Sequence, residues 1–257
     1  MQPEDLLLFA ADAARLMLES GGETYRAEEV AMRILSSQGG MEAECFATST
    51  GLMLSFVAMD GKVHSIVRRV KKRGMNLERV SLINTLVRDL SSDRIDMLEA
   101  AKRLDLAERL ADRPVWVKIL ASALGAGFFT LLFGGGPAEA SAASASGACL
   151  SILLIGLARL KLPDFVTTLA GGAFAAASVQ ALKLISIPIE SDTTIIGVIM
   201  LLVPGVAITN AIRDIIAGDL VAGIARGADA FLTAAAISAG AGGALALLKL
   251  FFPGASS

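Results

Sequence analysis

From Pro114 onward the chain carries five apolar stretches, near residues 115–133, 138–158, 165–185, 193–212 and 228–250, and these restrict its fold more than any other feature. Each holds about 19 to 23 residues, enough at 1.5 Å per residue to cross roughly 30 Å of hydrocarbon. Backbone groups inside a bilayer find no water, so such segments must be helices that satisfy their own hydrogen bonds. Charge divides the chain at the same place: residues 1–113 hold 16 Lys/Arg and 18 Asp/Glu, residues 114–257 only 7 of each. The sequence predicts an α-helical membrane protein, with a five-span transmembrane helix bundle over 114–257 preceded by a small α+β cytoplasmic domain over 1–113. The 54% hydrophobic content and mean hydropathy of +0.64 exceed what a soluble protein of this length carries.

Within the first domain, Leu7, Leu8, Ala11, Ala14 and Leu18 recur at helical spacing and predict a helix from Glu4 to Glu19, stopped by Ser20-Gly21-Gly22. A second helix is expected over Thr24 to Ser37. The period then shortens over 42–49, 51–59 and 62–70, with Asp60-Gly61 as a hairpin turn, which predicts three strands. Helical spacing returns over Asn76–Asp89 and Asp93–Leu110, with Asn76 and Ser92 or Asp93 as N-caps. The opening residues include Glu4 and Asp5 and no basic n-region, so this domain is expected to stay in the cytoplasm.

Short loops on the cytoplasmic side should be basic. Arg109, Arg113 and Lys118 precede the first span, Arg159 and Lys161 join the second to the third, and Arg213 and Arg226 lie between the fourth and fifth. The opposite connections, 134–139 and 187–192, have no basic residue, which places the amino terminus inside and the carboxyl terminus outside the cytoplasmic (inner) membrane. Small residues at four-residue spacing, such as Ala236, Gly240 and Ala244, suit close helix packing. The run Arg68, Arg69, Lys71, Lys72, Arg73 is a candidate contact for anionic lipid. A net charge of -2 speaks against a nucleic-acid partner. His64 is the single histidine, and neither a metal-ligand spacing nor a cofactor motif accompanies it. No enzyme constellation is expected, and no GxxxxGK[ST] is present for ATP hydrolysis.

The segment LLVPGVAITNAIRDIIAGDLVAGIARG, residues 201–227, starts as a span and turns polar. Pro204 lacks the N–H that would bond the Met200 carbonyl, and Gly205 weakens the helix beside it, so a kink is expected there. Broken helices often line transport sites. Asn210 and Asp214 are i,i+4 neighbours with Arg213 beside them, and these three with Asp219 are the candidate substrate or proton pathway. The bland alternative is a kinked helix followed by a polar cytoplasmic turn.

The same segment resembles the Pro-Gly, Asn-Ala and Gly-Asp/Gly-Leu-Ala-Arg pattern of the threonine/serine exporter family, which includes subunits of two-component succinate exporters. SGGETYRAEEV, TSTGLMLSF and RGMNLERV are similar to that family's cytoplasmic domain. The positions that match are Pro204, Gly205, Asn210, Ala211, Asp214, Gly218, Gly223 and Arg226, with Gly22 and Glu23. The resemblance implies a transporter subunit that exports small polar metabolites, threonine- and serine-type amino acids or a dicarboxylate such as succinate, coupled to the proton gradient. It also implies a partner, a second five-span membrane subunit, with a homo-oligomer as the other possibility. A second reading makes the chain a regulatory or scaffolding subunit whose partner forms the transport path.

Overall fold

A computed structural model describes residues 2–71, 74–111, 113–184 and 189–251. The chain divides into two compact units, Met1–Ala111 with Val206–Ala228, and Asp112–Gly205 with Asp229–Ser257.

The first unit opens with α1 (Pro3–Glu19) and α2 (Thr24–Ser37), continues through β1 (Met41–Thr48), β2 (Gly51–Val57) and β3 (Val63–Arg69), and returns to helix in α3 (Leu77–Ser91) and α4 (Met97–Glu108). The strands form an antiparallel sheet in the order β1-β2-β3, close to the three segments expected from the sequence. Gly61, at φ +78, makes the tip of the second hairpin, and Asp60 Oδ1 accepts from the Lys62 amide at 3.0 Å. Alternation sends Leu52, Leu54 and Phe56 inward with Ala47, and leaves Met53 and Val67 outward. The inner face packs on α1, which is buried around most of its circumference by Leu6, Ala10, Ala13, Leu16 and Met17. Leu8, expected on the buried stripe, is instead exposed.

One helix start is corrected. Asn76 caps α3 as expected, accepting from the Arg79 amide at 2.9 Å. Asp93 takes φ +53 and closes α3, so it does not open α4. That role belongs to Asp96, whose Oδ1 accepts from the Glu99 amide at 2.8 Å. Cys45 points inward, where burial and the nearby Glu28 charge push its thiol up to about 12.

The second unit holds α5 (Val115–Leu132), α6 (Pro137–Ala158), α7 (Asp164–Leu184), α8 (Ser191–Ile199) and the greater part of α10 (Leu220–Phe251). Small residues line much of its interior, beside a few large ones such as Leu150, Val179 and Val198. Gly127 of α5 meets Ser144, Gly147 of α6 meets Ala126, Gly197 of α8 meets Thr130, and Gly240 of α10 meets the Leu169 carbonyl. A Cβ at any of these positions would collide with a neighbouring helix, so here glycine permits backbones to touch. Large apolar side chains such as Trp116, Phe128 and Leu132 face outward, the arrangement suited to lipid as the surrounding solvent. Glu139 ties two connections together, accepting from the amides of Gly136 at 3.0 Å and Glu190 at 3.1 Å.

Among the described residues four helices are long and apolar enough to cross a membrane, Val115–Leu132, Pro137–Ala158, Asp164–Lys183 and Leu220–Phe251. The fourth expected stretch, 193–212, is not one helix. α8 stops at Ile199 and α9 (Gly205–Ile216) begins after a turn at 200–204. The expected kink is thus a full break, because Pro204 both lacks a donor and disfavours helical geometry at Val203. The last helix begins eight residues before the expected 228, capped by Asp219 Oδ1 accepting from the Ala222 amide at 3.1 Å. At 1.5 Å per residue α10 is about 48 Å long, well beyond the roughly 30 Å that a crossing needs.

Candidate functional site

The α1–α2 connection begins where Ser20 caps α1 and Gly21, at φ +85, turns the chain. The Gly22 amide donates back to the Met17 carbonyl at 3.0 Å, and a Cβ on Gly22 would press against Met17. Two glycines are needed because one takes the left-handed conformation and the other lies flush against α1. α2 then starts at Thr24 behind Glu23, whose side chain makes no capping hydrogen bond. A helix start buried without its own cap must find acceptors elsewhere.

They come from α9 and the first turns of α10, within the same compact unit. α9 is amphipathic in the inverted sense: Asn210, Ala211 and Asp214 are buried, while Ile208, Ile212 and Ile216 are exposed. Asp214 is 0% exposed and accepts through Oδ1 from the Thr24 amide at 3.3 Å and through Oδ2 from the Thr24 hydroxyl at 3.2 Å. One turn earlier, Asn210 Nδ2 donates to the Gly21 carbonyl at 3.0 Å. Arg213, on the exposed side, reaches Glu23 Oε1 at 2.7 Å.

Arg226 completes the arrangement from α10. Its Nη2 donates to the Gly22 carbonyl at 2.9 Å and to the Thr24 hydroxyl at 3.3 Å. Its Nε lies 3.0 Å from Asp214 Oδ2 but is not aligned as a hydrogen bond, so the two attract as an ion pair. α10 can come this close because Gly223 faces α9, where a Cβ would strike Ile215 and the Ala211 carbonyl. Asp219 sits in the α9–α10 turn after Gly218, at φ +92. Its amide donates to the Asp214 carbonyl at 2.9 Å, and its Oδ2 is buried with no hydrogen-bond partner among the described residues.

Two carboxyls here are displaced in opposite directions. Burial acts to raise Glu23, but its own backbone amide and the Arg213 and Arg26 guanidinium groups outweigh burial and hold it below the usual carboxylate range. Burial raises Glu28, the Ala47 amide at 2.8 Å opposes it, and the charges of Asp219 and Asp214 add to the rise.

Of the residues expected from the sequence, Asn210, Arg213, Asp214 and Asp219 therefore lie together against the Gly21–Thr24 turn. Pro204 and Gly205 set where α9 begins, and Gly205 has open space where a Cβ would stand. Arg68 and Arg69 alternate across β3, Arg68 lying 3.4 Å from Asp12 Oδ1, while Lys71 is exposed and Lys72 and Arg73 lie outside the described residues. Thr24 and Glu28 were not singled out by sequence. The missing cap in front of Thr24 is the signal that could have pointed to them.

A family model described as "Putative threonine/serine exporter" matches residues 8–248. The chain is 28% identical over 225 residues to the "Probable succinate transporter subunit YjjP" of Klebsiella aerogenes, covering 85% of this chain and 84% of that protein. It is 27% identical over 228 residues to the Escherichia coli protein of the same description, covering 87% of each. To the "Probable threonine/serine exporter" of Mycobacterium tuberculosis it is 27% identical over 227 residues, 86% of this chain but 42% of that longer protein. No solved structure matches the chain. The chain belongs to the threonine/serine exporter family, and it is a membrane exporter of small metabolites.

Proposed function

We propose that this chain is one subunit of a proton-coupled exporter in the cytoplasmic membrane, moving threonine- and serine-type amino acids or a dicarboxylate outward. The observation that carries this reading is the buried Asp214–Arg226 pair, with Asn210 one turn away, in a chain whose other unit is built for lipid. A buried charge pair costs desolvation energy, and membrane proteins keep such pairs mainly where they handle ions or polar substrates. Five crossings are proposed, the fourth broken at Pro204, with residues 1–113 and the amino terminus inside and the carboxyl terminus outside. The subunit names of the enteric relatives support a separate partner of similar size. The basic run Arg68, Arg69, Lys71, Lys72 and Arg73 is proposed as a contact for anionic headgroups.

The test is metabolite efflux from cells that express the chain with and without its partner subunit. Efflux requiring both, and lost in Asp214→Asn while the complex still assembles, is the expected result. Undiminished efflux in that variant would remove Asp214 from the mechanism, and efflux by this chain reconstituted without its partner would count against a purely scaffolding role.

A further inference from the structure

The three-stranded sheet covers its core with one face and leaves the other bare. Antiparallel sheets with one solvated face ordinarily alternate apolar inside with polar outside. Here the pairing Phe46↔Met53↔Val67 lays an apolar row across all three strands on the outer face, with exposures of 54%, 55% and 67%. Two outward rows further along, Met41↔Val57↔Val63 adds two more exposed apolar side chains, Met41 and Val63. Phe46, Met53 and Val67 are among the residues that line a surface depression of about 490 Å³. Apolar side chains gathered in this way on an outer face mark a contact surface.

The edge of β1 is closed to a further strand. Its pairing is irregular between Met41 and Glu44, with Glu42 at φ +45, and its Ala47 amide is already held by Glu28 at 2.8 Å. Bulges and occupied donors keep edge strands from pairing, so the contact belongs to the face.

Charge says what covers it. Glu44 lies one outward row beyond Phe46 on β1, and Arg69 one outward row beyond Val67 on β3, in the opposite direction. They stand at opposite corners of a patch centred on Met53, both exposed and neither in an ion pair among the described residues. From strand spacing and rise they are roughly 17 Å apart, twice the Debye length of about 8 Å, so within one chain they barely interact. A patch acidic at one corner and basic at the opposite one is complementary to itself. Turned over about a two-fold axis through Met53, it sets Glu44 of one copy against Arg69 of the other, twice. The Phe46 ring then comes to rest near Gly51, which has no side chain to obstruct it. The strands cross at a steep angle, one of the two ways in which sheets pack face to face.

We propose that the outer face of the β1-β2-β3 sheet is a homodimer interface, with Met53 on its two-fold axis and the Glu44–Arg69 pair made twice across it. The inference is independent of what the chain exports. It assigns Arg69, out of the basic run, to a carboxylate and not to a headgroup. The face covers on the order of 400 Å² by strand spacing, about half of what each partner buries in a stable solution complex. Confinement of both copies in one membrane raises their effective concentration and offsets the small area.

The test uses the full chain in membranes, in a Cys149→Ser background whose remaining thiol, Cys45, is pushed up to about 12 by burial. Under mild oxidation Met53→Cys is expected to give a disulfide-linked species of twice the chain's mass, and Leu98→Cys, exposed on α4, to give none. Adding Glu44→Arg or Arg69→Glu to Met53→Cys is expected to lower the linked fraction about tenfold, because like charges then face each other twice. Both reversals together are expected to restore it, since the pair is re-formed with its signs exchanged. If Met53→Cys does not fold, Ser65→Cys on the neighbouring strand takes its place.

No linked species, equal linkage at Leu98, or a double reversal that fails to restore linkage overturns the proposal. Without linkage, tighter attachment of Glu44→Arg to anionic vesicles gives the face to lipid. Without linkage, maleimide labelling at position 53 that is blocked by co-expressing the partner subunit gives the face to that subunit.

Discussion

The two compact units bury opposite things. The first encloses large aliphatic side chains, Leu16, Met17, Ile34, Leu52, Leu54, Ile83 and Leu86, and beside them a carboxylate and a guanidinium. In the second the enclosed residues are mostly small, Ala126, Ala143, Ala175, Ala176 and Gly197 among them, and many large apolar side chains are outside. Water drives aliphatic groups into a core, so a water-facing unit collects its bulk inside. Lipid exerts no such drive, and helices there gain by bringing backbones close. The first pattern suits water and the second suits lipid, and α9 departs from its own unit by burying Asn210 and Asp214 while Ile208, Ile212 and Ile216 stay outside.

If this contrast holds, the most damaging single change is electrostatic and lies in the first unit. Arg226→Met leaves Asp214 buried without its counter-ion, which costs about 3–5 kcal/mol; chemical denaturation of the purified protein is expected to show a loss of that size. Next comes overpacking in the second unit. Gly197→Val drives a side chain into Thr130 and the Ala126 carbonyl and is expected to cost about 1–3 kcal/mol, read as a lower melting temperature in detergent. By contrast Phe128→Ala, on the outer side of the same helix as Ala126, is expected to change stability by less than about 0.5 kcal/mol. If Phe128 behaved like a core residue, that outer face would have to be covered by protein and not by lipid.

A milder change tests local structure in the first unit. Asp96→Ala removes the cap of α4 and is expected to cost about 1 kcal/mol, whereas Asp93→Gly relieves a left-handed backbone and is expected to be neutral or stabilising. The pair is informative because sequence alone offered Ser92 or Asp93 as the cap. Cap chemistry is common to Ser, Asp and Asn, so three candidates within five residues cannot be separated without knowing which one the preceding helix uses to stop.

The same limit explains what was and was not legible elsewhere. Strand pairing was readable, since Asp60-Gly61 fixes a turn and alternation fixes the faces. The four helices among the described residues that are able to cross a membrane were readable from apolar length. The division of 193–212 was not, because hydropathy is blind to backbone; Pro204 signalled a bend, and only the structure distinguishes a bend from a stop. In the site, Asn210, Asp214 and Arg213 announced themselves as polar groups in an apolar setting. Thr24 and Glu28 did not, because a threonine and a glutamate in a surface-type helix look ordinary until the partner 190 residues away is known.

The smallest expected effect comes from Glu28, and its sign can be worked out. A carboxyl held above its ordinary value in the folded chain keeps its proton where the unfolded chain has lost it. Its contribution to stability is therefore present at acid pH and is lost as pH rises from the ordinary carboxylate value, about 4, through the raised one. Glu23 works the other way: being lowered, it contributes above the ordinary value and loses that contribution as pH falls through its folded value. Glu28→Gln keeps an acceptor for the Ala47 amide but cannot ionise, so melting curves across that window should flatten on the neutral side and stay unchanged on the acid side. A flattened acid side instead would mean that Glu28 is stabilised as a carboxylate, which would place it with Glu23 among the paired charges and outside the influence of Asp214 and Asp219.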